Sequence, residues 1–161
     1  MTLLRSSRLT RKRPLRRRRR MRLRSERGDR LAELDSLLRQ AVLLRDGFTC
    51  RRCGATPTAR ASGSKTAVLQ AAHILPKGHY PSMRYWLENV ICLCARCHIY
   101  GRGAWHKDPD AASRWAKREF GPEYIPRLRE IARGLHGTDL DAVEIMLRQE
   151  IKRLTGGKSR G

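Results

Sequence analysis

Nine side chains in the middle of this chain can do chemistry, and their spacing sorts them into two sets. Cys50-x-x-Cys53 and Cys94-x-x-Cys97 are two CxxC pairs separated by 40 residues. Each CxxC turn presents two sulfurs to one side, and two such turns close a tetrahedral four-sulfur site that suits a structural Zn²⁺ with no open position. A fifth thiol, Cys92, would share the face of Cys94 in a strand; it reads as a small buried residue, with substitution as a ligand the alternative. With four sulfurs available to the ion, His73 and His98 are surplus to it, and Asn89 and His106 stand close by in the sequence. Surplus imidazoles are the side chains best suited to move a proton or hold a second cation near neutral pH.

The elements that must position these groups are legible from periodicity and punctuation. Leu31, Leu34, Leu37, Leu38, Ala41 and Leu44 fall at helical spacing, with Asp29 as the expected N-cap and Asp46-Gly47 as the stop. "TAVLQAAHI" (66–74) and "NVICLC" (89–94) read as strands, with a Pro- and Gly-punctuated loop between them. A short helix is expected from about Ala95 to Gly101–Gly103. A strand with His73, a loop, a strand opening at Asn89 and a helix with His98 make a ββα unit pinned at its base by zinc. Three more helices follow: one entered at Asp108-Pro109, one at Gly121-Pro122, and one with Thr138 and Asp141 as a capping box. Their apolar stripes read as core or docking faces. The fold class is α+β, a small ββα-metal core stapled by the four-cysteine zinc site and flanked by N- and C-terminal helices. The boundaries read as a disordered basic arm (1–28), the core with its leading helix (29–109), a helical extension (110–155) and a flexible tail (156–161).

Charge bears on partners rather than on fold. The 161 residues hold 36 Lys+Arg against 15 Asp+Glu, a formal net charge of +21. A surplus of that size attracts polyanions, nucleic acid first among them. "RKRPLRRRRRMRLR" has too few apolar residues to bury, so it reads as a solvated arm whose Arg16, Arg17, Arg18, Arg19 and Arg20 contact nucleic acid. RNA suits such an arm as readily as DNA. No apolar run approaches the about 18 residues of a spanning helix, and no apolar segment follows the arginines as a secretory signal requires. A mitochondrial presequence is the rival reading of the N-terminus. Five cysteines, an odd number in two clusters, argue against a disulfide scaffold and for a reducing compartment. The expectation is a cytoplasmic protein, not secreted and not in a membrane.

Over about residues 44–109, "RDGFTCRRCG", then "AHILPKG", then "LENVICLCARCH" resemble the HNH (His-Me finger) endonuclease family in its zinc-clamped four-cysteine form. "RYWLEN" and "AWHKDP" are similar to phage-type HNH recombination nucleases. The resemblance implies hydrolysis of DNA phosphodiester bonds. His73 would be the general base that activates water, and Asn89 would hydrogen-bond backbone across the loop to hold the His73 strand. His98, with His106 as second ligand, would hold one divalent cation, Mg²⁺, Mn²⁺ or another. Arg84, Arg96, Arg102 and Lys107 lie near these positions, where phosphate clamping is the natural role for them.

Two residues depart from the family pattern. Ala72 stands where many members place an Asp or His ligand, and it cannot bind metal; Gln70, on the same side of the strand, is a poor substitute. Arg102 occupies the position one helical turn after His98, so His106 reaches the site only if the chain curls back. These departures keep a second reading open, a non-catalytic nucleic-acid-binding zinc module of a phage or mobile element. His79 and His136 read as plain surface or DNA contacts, and Trp86 and Trp105 as packing, with base stacking the alternative. Nicking versus double-strand cutting depends on an oligomeric state that the sequence leaves open.

Overall fold

The computed structural model describes residues 25–56 and 68–156. The Arg16–Arg20 block, most of the expected tail and most of the polar loop before the first strand lie outside the described residues.

Helix α1 spans Glu26–Arg45. Its N-cap is Ser25, whose hydroxyl accepts from Gly28 N at 3.3 Å. It therefore starts three residues before the expected cap, Asp29, and residues 26–28 belong to the helix rather than to the arm. Both residues can cap, but Glu26 and Asp29 inside the first turn complement the positive end of the helix dipole. The chain leaves the helix through Gly47 (φ 60°) and Phe48 (φ 52°), a left-handed pair that turns it toward the first cysteines. Arg45 and Asp46 stitch this end to the sheet: Arg45 donates to the carbonyls of Leu87 (2.8 Å) and Val90 (2.7 Å), and Asp46 accepts from Cys92 N at 2.8 Å.

Strands β1 (Leu69–His73) and β2 (Val90–Cys94) form a two-stranded antiparallel sheet, with His73 opposite Val90 and Leu69 opposite Cys94. All five residues of β2 are buried, as its unbroken apolar run implies. After β2 the chain makes one wide turn, Arg96–Tyr100, of π type. This is the short helix expected to carry His98, wound wider than an α-helix as the segment doubles back. Trp105 N donates to Cys97 O (2.8 Å) and His106 N to His98 O (3.2 Å). Gly101 permits the closure: a Cβ there would stand 2.7 Å from Arg96 O.

Helix α2 (Pro109–Phe120) is entered as expected, with Asp108 accepting from Ala111 N at 2.8 Å. Helix α3 (Tyr124–Gly134) begins after the Gly121-Pro122 turn rather than at it. Helix α4 (Leu140–Gly156) is capped by Asp139, which accepts from Asp141 N (3.0 Å) and Ala142 N (3.1 Å). The expected Thr138–Asp141 box is displaced by one residue in favour of the stronger carboxylate cap. Helix α4 lies along α1, joined by Arg30 to Asp141 (2.8 Å) and Arg148 to Glu33 (3.4 Å). One buried cluster holds Leu34, Leu38 and Val42 of α1, all of β2, Trp105, Trp115 of α2, Leu128 of α3 and Leu147 of α4. Trp105 and Trp115 meet edge to face at 5.8 Å, so Trp105 packs as expected. The architecture is α+β, helices around a two-stranded sheet beside a four-cysteine cluster. No helix of the described residues is long and apolar enough to cross a membrane.

Candidate active site and metal centre

The four cysteines converge. The sulfurs of Cys50, Cys53, Cys94 and Cys97 all lie within 4.8 Å of one another, and Cys53 Sγ stands 3.7 Å from Cys94 Sγ. Four sulfurs at about 2.3 Å from one tetrahedral zinc stand about 3.8 Å apart, so the cluster can hold a metal ion and its dimensions fit Zn²⁺. The knuckle is shaped by backbone: Gly54 N donates to Cys50 O (2.8 Å), and Cys50 N donates to Ala55 O (2.8 Å). Arg51 N donates to Cys92 O at 2.9 Å, which fixes the first pair against β2, the strand that ends at the second. Cys92 is fully buried and outside the cluster. Burial, then the Asp46 charge, pushes its thiol up to about 12, so it stays protonated.

On the other side of the wide turn, His73, His98 and His106 line one cleft of about 430 Å³, together with Asp35, Arg39 and Lys77. His73 Nε2 lies 2.8 Å from the carbonyl oxygen of Arg84. A carbonyl only accepts, so Nε2 carries the proton and Nδ1 is left with a free lone pair. Burial pushes the His73 imidazolium below its ordinary range, more than the Arg84 carbonyl raises it, and the ring is neutral at pH 7.

His98 and His106 are brought together by the doubled-back chain. Their Nε2 atoms are 2.9 Å apart and their ring centroids 4.6 Å apart. His98 Nδ1 lies 2.7 Å from Gln70 Oε1, an acceptor, so His98 carries its proton on Nδ1 and directs the Nε2 lone pair at His106. Burial, then the neighbouring His106 and His73, pushes the His98 imidazolium down to about 4. Two nitrogens each about 2.1 Å from one octahedral ion stand about 3.0 Å apart, so this pair fits two adjacent positions of a divalent cation.

Asn89 is fully buried, the one polar or charged residue buried as a whole among the described residues. Its Oδ1 accepts from Leu75 N (2.7 Å), and its Nδ2 donates to the carbonyls of Leu75 and Met83 (both 3.1 Å). Its own carbonyl accepts from Ile74 N at 2.8 Å. The amide therefore ties down both ends of the loop that follows His73. Trp105 Nε1 holds the His73 carbonyl itself, at 3.0 Å. Asn89→Ala leaves Leu75 N and Leu75 O unpartnered, while Met83 O keeps the N–H of Trp86 at 3.3 Å; at roughly 1–3 kcal/mol each the expected loss is about 2 kcal/mol or more in urea unfolding. A loss well below 1 kcal/mol would show that the loop is held otherwise.

The expected phosphate clamps divide. Arg96, Arg102 and Lys107 are exposed on and just after the wide turn, whereas Arg84 is committed to a carboxylate: its Nε and Nη2 lie 2.9 and 2.6 Å from the two oxygens of Asp35. Arg84 is thus not a free clamp, because its donor fork is used inside the protein. Ala72 is fully buried and offers no ligand, while Gln70 orients His98 rather than supplying a third one. His79 and His136 are exposed, and Trp86 is half-buried against the core. Sequence reasoning missed Asp35 and Arg39, hidden among the polar positions of α1, and Lys77 in the loop. It also missed Arg52, which donates to Gly103 O (2.7 Å) and lines a second cleft of about 350 Å³ with Arg96 and Arg102, beside Cys53 and Cys97. Four thiolates around one divalent ion leave net negative charge, which guanidinium groups at this rim would offset.

No protein-family description, curated protein or solved structure matches this chain.

Proposed function

We propose that the chain is a metal-dependent endonuclease of the HNH type, with a ββα-metal core, acting on DNA. The observation that carries the reading is the convergence, in one cleft, of a neutral histidine with a free Nδ1 and a histidine pair whose Nε2 atoms are 2.9 Å apart. His73 Nδ1 takes a proton from the water that attacks the scissile phosphorus, while its Nε2–H stays on the Arg84 carbonyl. His98 and His106 would hold a divalent cation, Mg²⁺ or Mn²⁺, which would supply positive charge to offset the negative charge developing on the phosphoryl and leaving oxygens. Gln70 keeps His98 in the tautomer that ligation needs. Arg39 and Lys77 offer positive charge to the phosphate from the cleft wall, and Asn89 positions the His73 strand. Zn²⁺ at the four cysteines serves stability. The arm and the exposed arginines supply electrostatic binding, to RNA as well as DNA, in a cytoplasmic setting.

Nicking of supercoiled plasmid by the purified chain with Mg²⁺, Mn²⁺ or neither tests the reading. Cleavage by the zinc-loaded chain that requires added Mg²⁺ or Mn²⁺ supports it. His98→Ala and His106→Ala are expected to lower the rate at least about 100-fold at fixed metal, with part of the His106→Ala loss recovered at higher Mn²⁺.

Two protein ligands and a buried Ala72 favour a second reading, a nucleic-acid-binding zinc module without cleavage. Tight, salt-sensitive binding with no cleavage in any metal would establish it. Under either reading, removing residues 1–24, which leaves the Ser25 cap of α1 in place, is expected to flatten the dependence of log affinity on log salt, since each phosphate contact contributes a slope of about 0.9 on duplex DNA. An unchanged slope would remove the arm from the binding account.

A further inference from the structure

We propose that Asp35, on α1, is a positioning residue for His73, acting through Arg84. The proposal rests on the reading of His73 as general base and names what holds that base in its working tautomer. The hydrogen bond from His73 Nε2 to the Arg84 carbonyl leaves Nδ1 free. That carbonyl belongs to an irregular stretch just after the short 3₁₀ turn Pro81–Met83, where no sheet ladder fixes it. The backbone N–H of Arg84 makes only a 3.2 Å bond to Pro81 O.

The side chain supplies the missing anchor. Asp35 grips the Arg84 guanidinium through both carboxylate oxygens, at 2.9 and 2.6 Å, a fork that fixes direction as well as distance. The guanidinium also lies over the Tyr85 ring, 5.5 Å from its centroid. Lys77 Nζ adds a third contact to Asp35 at 3.4 Å, tying down the loop on the near side of the cleft. Helix α1 thereby reaches across 49 positions of sequence to hold the acceptor of the histidine's proton.

Charge points the same way. Asp35 is the one carboxylate lining the cleft with the three histidines, and a carboxylate there repels the phosphate that the cleft is proposed to admit. Its side chain is 34% exposed, and an ion pair so placed adds little to stability. Holding Arg84 gives that charge a use. Burial pushes the Asp35 carboxyl up, but Arg84 and Lys77 outweigh it and hold the group below its ordinary value, so it stays ionised across the working range.

The roles of binding charge and positioning residue give opposite signs. Asp35→Asn removes negative charge from the cleft, so the full-length, zinc-loaded chain is expected to bind a duplex without added Mg²⁺ or Mn²⁺ as tightly as wild type or more tightly. Its single-turnover plasmid cleavage with Mn²⁺ is expected to fall about 10- to 100-fold, the penalty of a misplaced catalytic group. Asp35→Glu, which keeps the carboxylate, should recover most of the rate. Arg84→Lys, which keeps the charge and loses the fork, should not. The ¹⁵N chemical shifts of His73 report the link without any cleavage: a single Nε2-protonated tautomer in wild type, and a mixture in Asp35→Asn. A wild-type chain that cuts while Asp35→Asn cuts equally fast, with its tautomer unchanged, overturns the positioning role alone. A wild type that cuts nothing overturns the proposed function and this role with it.

Discussion

His73→Ala is expected to reduce metal-dependent nicking by about 10²–10⁴-fold, the usual contribution of a positioned general base, with duplex affinity within about twofold of wild type. Binding is spared because a neutral, half-buried imidazole carries no charge for the phosphates to lose. Equal loss of binding and cleavage would instead mark His73 as a structural group at the end of β1. The pH profile supplies a second check. The proposed reaction needs neutral His73, and burial holds its imidazolium below the ordinary 6.5. The rate should therefore stay level as the pH falls through 6.5 and drop only in more acid solution. Stability moves with the same sign. Below pH 6.5 the unfolded chain binds protons at His73 and His98 that the folded chain resists, so stability present above 6.5 is lost progressively as the pH falls toward about 4.

Denying a metal ion to the four cysteines, which can hold one, is expected to have the largest effect on the fold. Structural zinc contributes an apparent binding free energy of about 10–16 kcal/mol in small domains near neutral pH. Here the knuckle anchors both the exit from α1 and the end of β2, since Cys50 and Cys94 are members of the buried cluster. A strong chelator, or Cys94→Ser, should lower the melting temperature by about 15 °C or more and abolish the proposed nuclease activity with the fold. The purified chain should release one zinc on thiol modification. Cys92→Ala should retain that zinc, because its buried thiol, pushed up to about 12, lies outside the cluster. Full metal content with unaltered melting in Cys94→Ser would exclude the site as a structural centre.

Much of the fold was legible because its signals are local. The Asp108-Pro109 entry sets one cap and one fixed φ, and α2 begins there. The apolar run of β2 and the helical stripe of α1 appear where periodicity put them. Errors cluster where two neighbours can play the same part. Ser25 and Asp29 can both cap α1, and Thr138 and Asp139 can both cap α4; the choice turns on differences of a kcal/mol or less. The short helix after β2 is a different case, present where expected but wound as a single π turn. Residues 95–101 have acceptable helix propensity, but the pairing of Trp105 with Cys97 and of His106 with His98 forces a single wide turn.

The sequence by itself determined which chemistry is available: two CxxC turns, whose sulfurs converge through spacing within each turn, three imidazoles, one amide and a large positive charge. Only the tertiary structure decided how those groups are used. His73 owes its tautomer to a carbonyl eleven residues away, His98 to a glutamine twenty-eight residues back, and Arg84 its removal from the phosphate clamps to a carboxylate on α1. The physical reason is that a hydrogen-bond partner is chosen by proximity in space. Residue type and local spacing say what a side chain can donate or accept; chain closure across long loops says what stands opposite it.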